Sequence, residues 1–253
     1  MSQLIINHIG KDFGGVEAVV DFSMVANSGE IHGIIGPNGA GKTTIFNLIS
    51  GVYPLKHGSV FLDDERIDNK EQYVIARKGI GRTFQNIRLF KGLTVLENVL
   101  VANDPRTTYG LFGALVSSRL RKKEELKGRG DCERYLERVG MKEHIHQYPQ
   151  NLPYGLQRRL EIARALACKP KVLLLDEPAA GLNPTEVTEL TDLIIDLSEK
   201  EKLIILLIEH RLELVMNISD LIHVQSFGKT ISEGIPSKIQ NDPIVIEAYL
   251  GKD

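Results

Sequence analysis

Gly36-Pro37-Asn38-Gly39-Ala40-Gly41-Lys42-Thr43-Thr44 decides the reading of this chain. Gly36, Gly41, Lys42 and Thr43 match the pattern G-x-x-x-x-G-K-[ST]. The aliphatic run Ile31–Ile35 before it predicts a short buried strand. Ile45–Ile49 after it predicts a helix that stops near Gly51 and Pro54. A glycine loop between a strand and a helix N-terminus aims several backbone N–H groups at one anion, and the helix end adds partial positive charge. A glycine-rich turn with a surface lysine is the competing reading, and it leaves the flanking strand and helix unexplained. The loop points to a nucleoside triphosphate, with Lys42 between its β- and γ-phosphates and the Thr43 hydroxyl on Mg2+.

The chain has 253 residues, 42% of them apolar, which suffices for a proper core. Its net charge of −2 supplies no global field to recruit nucleic acid or anionic lipid. Met1 to Gly10 lacks a basic stretch and a small-residue cleavage site, so no secretory leader is expected. The longest aliphatic run, Leu203–Ile208, is far short of the roughly 20 residues of a membrane-spanning helix. Cys132 and Cys168 lack metal or redox spacing and fit structural roles in a reducing compartment.

Ile31–Ile35, Val172–Leu175 and Leu203–Ile208 read as central strands of a mostly parallel sheet, with helical patterns between them. One helix starts at Pro184, capped by Asn183 with Glu186 at the capping-box position. Gly58–Leu62 suggests an antiparallel β layer near the N-terminus. From about Leu93 to Leu166 the chain turns helix-rich, opening on a Thr94/Glu97 capping box. Arg119–Lys127 is strongly charged, and Gly128 and Gly130 predict a solvated helix end or loop there rather than a nucleic-acid patch. Asp242-Pro243 predicts the start of a closing helix through Tyr249.

Val172–Leu175 runs into two carboxylates, Asp176 and Glu177. Phosphoryl transfer needs a metal, charge neutralisation and an oriented nucleophile. Asp176 at the strand tip suits Mg2+, directly or through water, and Glu177 suits a general base or water-orienting group. The next strand ends in Glu209-His210, which places a second polar group towards the γ-phosphate, although strand-tip histidines are more often structural. Gln85, in Arg82-Thr83-Phe84-Gln85-Asn86, just precedes the helix-rich segment.

GPNGAGKTT, Gln85, LPYGLQRRLEIARAL (Leu152–Leu166), VLLLDEP, AAGLNP and Glu209-His210 occur in one order over almost the whole chain. In this the chain resembles the nucleotide-binding subunit of an ATP-binding cassette (ABC) transporter. The resemblance implies an α/β fold: a P-loop NTPase core with a mostly parallel sheet, an N-terminal antiparallel β layer and an inserted helical subdomain. It implies one ATPase domain over 1–253, with the core in 1–92 and 167–253 and the helical subdomain in about 93–166. Phe13 is then similar to the aromatic residue that stacks on adenine. Asn38, Gly39, Ala40, Gly41, Lys42, Thr43 and Thr44 resemble the phosphate cradle, and Thr43, Gln85 and Asp176 the Mg2+ ligands. Gln85 also resembles the residue that senses the membrane partner, and Glu177 and His210 the catalytic glutamate and switch histidine. Leu152–Gln157, with Gly155, resembles the segment that closes over the γ-phosphate of a second subunit. Such subunits pair head to tail around ATP and Mg2+, as homo- or heterodimers.

Two residues depart from the family pattern. Pro153 stands where a serine usually offers its hydroxyl and N–H, and the loss of such a donor slows hydrolysis. Asn183 stands where an aspartate is usual, so the turn keeps hydrogen bonding and loses charge.

Thr83–Phe90, Gln157–Arg164, Ala179–Pro184 and the ending Ala248–Gly251 resemble the subgroup for high-affinity branched-chain amino acid uptake, and within it the longer of two ATPases. The segment Asp104–Arg129 fits the longer insertion. This implies permease partners, an extracytoplasmic binding protein acting indirectly, no nucleic acid, and a peripheral position on the cytoplasmic face of the inner membrane. Urea uptake and lipopolysaccharide export ATPases share much of the pattern and remain alternatives, as does a regulatory ATPase without transport. Leu89, Phe90 and Leu93 read either as a groove for a permease helix or as core.

Overall fold

Ile31–Ile35 (β3), Val172–Asp176 (β7) and Ile204–Ile208 (β8) are buried at every residue in a computed structural model that describes residues 2–103 and 118–250. Strands with both faces covered need continuous aliphatic runs, and these three have them. They lie in a six-stranded sheet with Ile80–Arg82 (β6), Leu221–Ser226 (β9) and Lys229–Gly234 (β10), in the order β10-β9-β3-β8-β7-β6. All pairings are parallel except the β9–β10 hairpin. Parallel register puts the C-terminal ends of β3, β7 and β8 on one edge, where open α/β sheets bind ligands.

A second sheet is antiparallel. Gln3–Phe13 (β1), Val16–Asn27 (β2), His57–Leu62 (β4) and Glu65–Arg66 (β5) pair in the order β2-β1-β4-β5. Leu4, Ile6, Phe22 and Val60 from this sheet share one buried cluster with Ile34, Leu174 and Leu206 of the parallel sheet. Phe46 and Leu48, from the helix Lys42–Ile49 (α1), complete it.

Chain contacts divide the protein into two compact units, Met1–Gln85 with Lys171–Asp253, and Asn86–Pro170. The second unit is helical, with Val95–Asn103 (α3) and Tyr154–Ala167 (α5) on either side in sequence of Ser118–Arg138 (α4). Gln72–Lys78 (α2) precedes β6 in the first unit. The Thr94/Glu97 box forms: Glu97 N–H donates to Thr94 Oγ1 at 3.3 Å and Thr94 N–H donates to Glu97 Oε2 at 2.7 Å. Pro184–Glu201 (α6) starts on the expected box, with Asn183 Oδ1 accepting from Glu186 N–H at 3.0 Å.

One expectation fails. Gly128 and Gly130 do not end a helix, because α4 runs through both. At Gly128 the reason is a close approach: a Cβ would lie 2.9 Å from Asn103 Nδ2, which donates to the Gly128 carbonyl at 3.3 Å. Most of the expected insertion, 104–117, and Gly251 of the closing motif lie outside the described residues. Leu212–Ile218 (α7), Pro236–Gln240 (α8) and Pro243–Leu250 (α9) end the first unit, and Asp242 Oδ1 accepts from Ile244 N–H at 2.9 Å.

Candidate functional site

The loop after β3 is shaped by its glycines. Gly41 has φ +98°, and a Cβ there would sit 2.2 Å from the Ala18 carbonyl oxygen. Gly39 has φ +79° with nothing within 4 Å of its would-be Cβ, so the backbone is bare on that side. The first ladder bond of α1 runs from Ile45 N–H to the Gly41 carbonyl at 3.0 Å. The N–H groups of Lys42, Thr43 and Thr44 therefore precede the helical ladder and point to the open end. Asn38, Gly39 and Thr43 are exposed, whereas Ala40 is buried and its carbonyl accepts from Gly228 N–H at 3.1 Å. This bare, N–H-rich helix end fits a polyphosphate.

Lys42 is buried, and its ammonium donates to the carbonyls of Gly36 at 2.7 Å and Pro37 at 2.9 Å. Burial pulls it below the ordinary lysine range, opposed by the carboxylates of Glu177 and Asp176. The loop lysine and the two carboxylates thus feel one another.

Asp176, 1% exposed, ends β7 and is held from β6: Arg82 Nη2 donates to Asp176 Oδ2 at 3.1 Å. Arg82 Nη1 reaches back to Asn47 Oδ1 and Ser50 Oγ, both at 2.8 Å, tying the carboxylate to α1. Among the described residues no cluster of three or more His, Cys, Asp or Glu could hold a metal. Thr43, Gln85 and Asp176 are instead hard oxygen donors with a single carboxylate. That set fits Mg2+, which takes one or two carboxylates and completes its shell with phosphate and water.

Glu177 adopts φ +49°, a left-handed backbone that non-glycine residues rarely hold. Its N–H donates to the Ile208 carbonyl at 2.8 Å, and its own carbonyl accepts from Ala180 N–H at 3.2 Å. The side chain is gripped on both oxygens. Gln85 Nε2 donates to Oε2 and His210 Nε2 donates to Oε1, each at 2.9 Å. An ionised carboxylate only accepts, so the proton of that bond sits on His210 Nε2.

Phe13 stands at the end of β1, 43% exposed. Tyr53 packs edge-on against it at 5.1 Å, and Lys11 Nζ sits 5.3 Å from the Phe13 ring centre. Gly155 belongs to the helical unit and is buried in the first turn of α5. Its N–H precedes the first ladder bond of that helix, from Gln157 N–H to the Pro153 carbonyl at 3.1 Å. Pro153 is the N-cap, with φ −51°, a value its ring favours, and it makes no side-chain cap.

In the helical unit Leu89 and Leu93 are half-buried and Phe90 is 46% exposed, so this cluster is not closed core. The loop is nevertheless fixed. Asn98, fully buried, accepts from Phe90 N–H at 2.9 Å and donates to the carbonyls of Phe90, Leu93 and Thr94 at 3.0–3.1 Å. Glu161 accepts from Arg88 N–H at 2.9 Å.

Sequence reading missed Arg82, Tyr53 and Asn98. Only Arg82 carried a signal, as a cation three residues before Gln85.

Comparison with known proteins places these motifs in context. The family profile described as ABC transporter matches residues 19–180, and one described as branched-chain amino acid ATP-binding cassette transporter matches residues 229–253. The chain is 44% identical, over the full length of both, to the high-affinity branched-chain amino acid transport ATP-binding protein LivG of Escherichia coli K12. It is 42% identical to the corresponding BraF of Pseudomonas aeruginosa, over 98% of each chain. Among solved structures, the ADP conformation of MJ1267, an ATP-binding cassette of an ABC transporter, matches with a TM-score of 0.86 at 32% identity, covering 100% of both chains.

Proposed function

The chain belongs to the ABC transporter ATP-binding family, and on that premise we propose that it energises a membrane transporter importing branched-chain amino acids. The observation that carries the ATPase mechanism is the Glu177 carboxylate gripped by Gln85 and His210 beside the phosphate loop. The choice of leucine, isoleucine and valine rests on the match of residues 229–253 and on the full-length likeness to LivG and BraF. It is favoured over urea uptake, lipopolysaccharide export and a non-transport regulatory role on that ground.

In this reading Phe13 stacks on adenine, and the N–H groups from Asn38 to Thr44 cradle the phosphates. Lys42 exchanges its two loop carbonyls for phosphate oxygens. Thr43, Asp176 and Gln85 hold Mg2+, which supplies Lewis-acid neutralisation of phosphate charge when bound. Arg82 keeps Asp176 in place. Glu177 and His210 orient the attacking water, with Glu177 accepting its proton. Gly155 of a second subunit contributes its helix-end N–H to the γ-phosphate, so the working form is a head-to-tail dimer. The helical unit, with Leu89, Phe90 and Leu93, receives a cytoplasmic helix of the permease, and Gln85 lies next to it in sequence. Among the described residues no helix is long and apolar enough to cross a membrane. The inferred location, peripheral on the cytoplasmic face, depends on the permeases, and the extracytoplasmic binding protein acts through them.

A tagged pull-down from native membranes tests this assignment. Co-purification of two different permeases and a second, shorter ATPase supports the amino-acid importer and a heterodimer. Recovery of no membrane protein contradicts a transport role.

A further inference from the structure

We propose that Glu209 and Arg211 are positioning residues that brace His210 from both sides and fasten it to the turn after β7. The proposal rests on the reading of Glu177 and His210 as the water-orienting pair. Glu209 is 2% exposed at the end of β8. Its Oε1 accepts from Ala179 N–H at 2.7 Å, across to the other turn. Its Oε2 accepts from the N–H groups of His210 at 3.1 Å and Arg211 at 3.5 Å. On the other side of His210, Arg211 Nη2 donates to the Leu182 carbonyl at 2.9 Å.

Segment 208–211 is thereby joined to segment 177–182 at four successive positions. Ile208 accepts from Glu177 N–H, Glu209 accepts from Ala179 N–H, His210 donates to Glu177, and Arg211 donates to Leu182. His210 is exposed, and it has an anchored residue before it and after it. Its backbone cannot shift without breaking one of those anchors.

A buried carboxylate carries a desolvation cost that a smaller neutral residue would avoid. The chemistry at Glu209 explains why an anion is used. Three backbone N–H groups approach from two directions, and only a carboxylate offers acceptor oxygens to both. Glutamine has one acceptor oxygen, so its NH2 would face either Ala179 N–H or the pair from His210 and Arg211. The imidazole would then lose the rigid placement that keeps Nε2 on Glu177, and misplacement of a reacting group is costly to rate.

The test is steady-state ATPase kinetics and ATP affinity of the purified full chain for Glu209→Gln, Arg211→Met and His210→Ala, and for each brace variant combined with His210→Ala. Arg211 is exposed, so its substitution tests the brace independently of any disturbance of packing by Glu209→Gln. We expect kcat to fall ~10- to 100-fold in Glu209→Gln and by a smaller factor in Arg211→Met, with ATP affinity within about twofold of native. In the His210→Ala background neither change should lower kcat further, because the effect runs through the imidazole. Native kcat in both single variants, or a full additional drop in the double variants, overturns the brace while leaving the water-orienting pair in place. Native kcat in His210→Ala overturns the pair, and the brace with it.

Discussion

His210 Nε2 lies 2.9 Å from Glu177 Oε1, and it reaches that oxygen from the strand next to the one that carries Glu177. Two neighbouring parallel strands therefore deliver an imidazole and a carboxylate to one point. Glu177→Gln keeps the shape and removes the base. Its expected outcome is ATP binding near native affinity with kcat lowered by ~100-fold or more and a dimer trapped on ATP. Single-turnover hydrolysis and size-exclusion chromatography with ATP check this, and hydrolysis at the native rate removes Glu177 from the catalytic role.

Lys42 spends its charge on the Gly36 and Pro37 carbonyls within the loop. Lys42→Ala deletes the only side-chain cation in the loop stretch Gly36–Thr44. Calorimetric titration with ATP should show affinity weakened by ~10-fold or more, since charge-assisted bonds to phosphate are among the stronger ones. Unchanged affinity contradicts the cradle.

Pro153 supplies the backbone angle of an N-cap without the side-chain oxygen of one. Pro153→Ser restores that oxygen to α5, with ~1 kcal/mol of added stability in thermal unfolding. The serine also returns a hydroxyl and an N–H to the segment proposed to meet the γ-phosphate, so kcat should rise. A lower Tm together with an unchanged kcat argues against both effects.

Phe90 is partly exposed on a loop that Asn98 holds from within. Phe90→Asp should abolish transport in membranes while the purified chain keeps its ATPase rate. Asn98→Ala should do something different: it strands several backbone groups and costs ~2 kcal/mol or more of stability in denaturant unfolding. Transport unchanged by Phe90→Asp moves the permease contact elsewhere.

His32 is buried between β8 and β9, with Nδ1 3.3 Å from His223 Nε2 and Nε2 3.1 Å from Glu30 Oε2. Burial pulls its imidazole below the ordinary 6.5, with His223 pulling the same way and Glu30 and Asp220 opposing. A depressed folded value means the folded state prefers the neutral ring. That stability is full above pH 6.5 and is lost as pH falls through the folded value. Glu161 and Glu209, raised by burial, act with the opposite sign, their contribution being lost as pH rises through their folded values. They are unchanged in His32→Gln, so comparison with wild type isolates His32. Between about pH 7.5 and about pH 5.5 the Tm of His32→Gln should fall less than that of wild type. Parallel curves contradict the assignment.

The parallel strands, the phosphate loop and both capping boxes were legible because each is a local pattern: aliphatic runs, a spaced glycine–lysine signature, and polar residues three apart. The clasp on Glu177 was legible only in part, since Gln85, Glu177 and His210 were named but their mutual bonds join residues far apart in sequence. Asn98 gave no signal because a polar residue on a helix reads as surface until the loop it satisfies is seen. Glu209 likewise read as half of a motif, and its bond to Ala179 spans two strands. Gly128 misled because helix propensity marks glycine as a breaker. The close approach of Asn103 that a glycine permits is tertiary and invisible in sequence.

The most direct test of the account is uptake of labelled leucine by cells in which the native chain is replaced with Glu177→Gln. The account predicts that uptake is lost while the variant still co-purifies with the membrane fraction and still binds ATP. Leucine uptake at the native rate would contradict it.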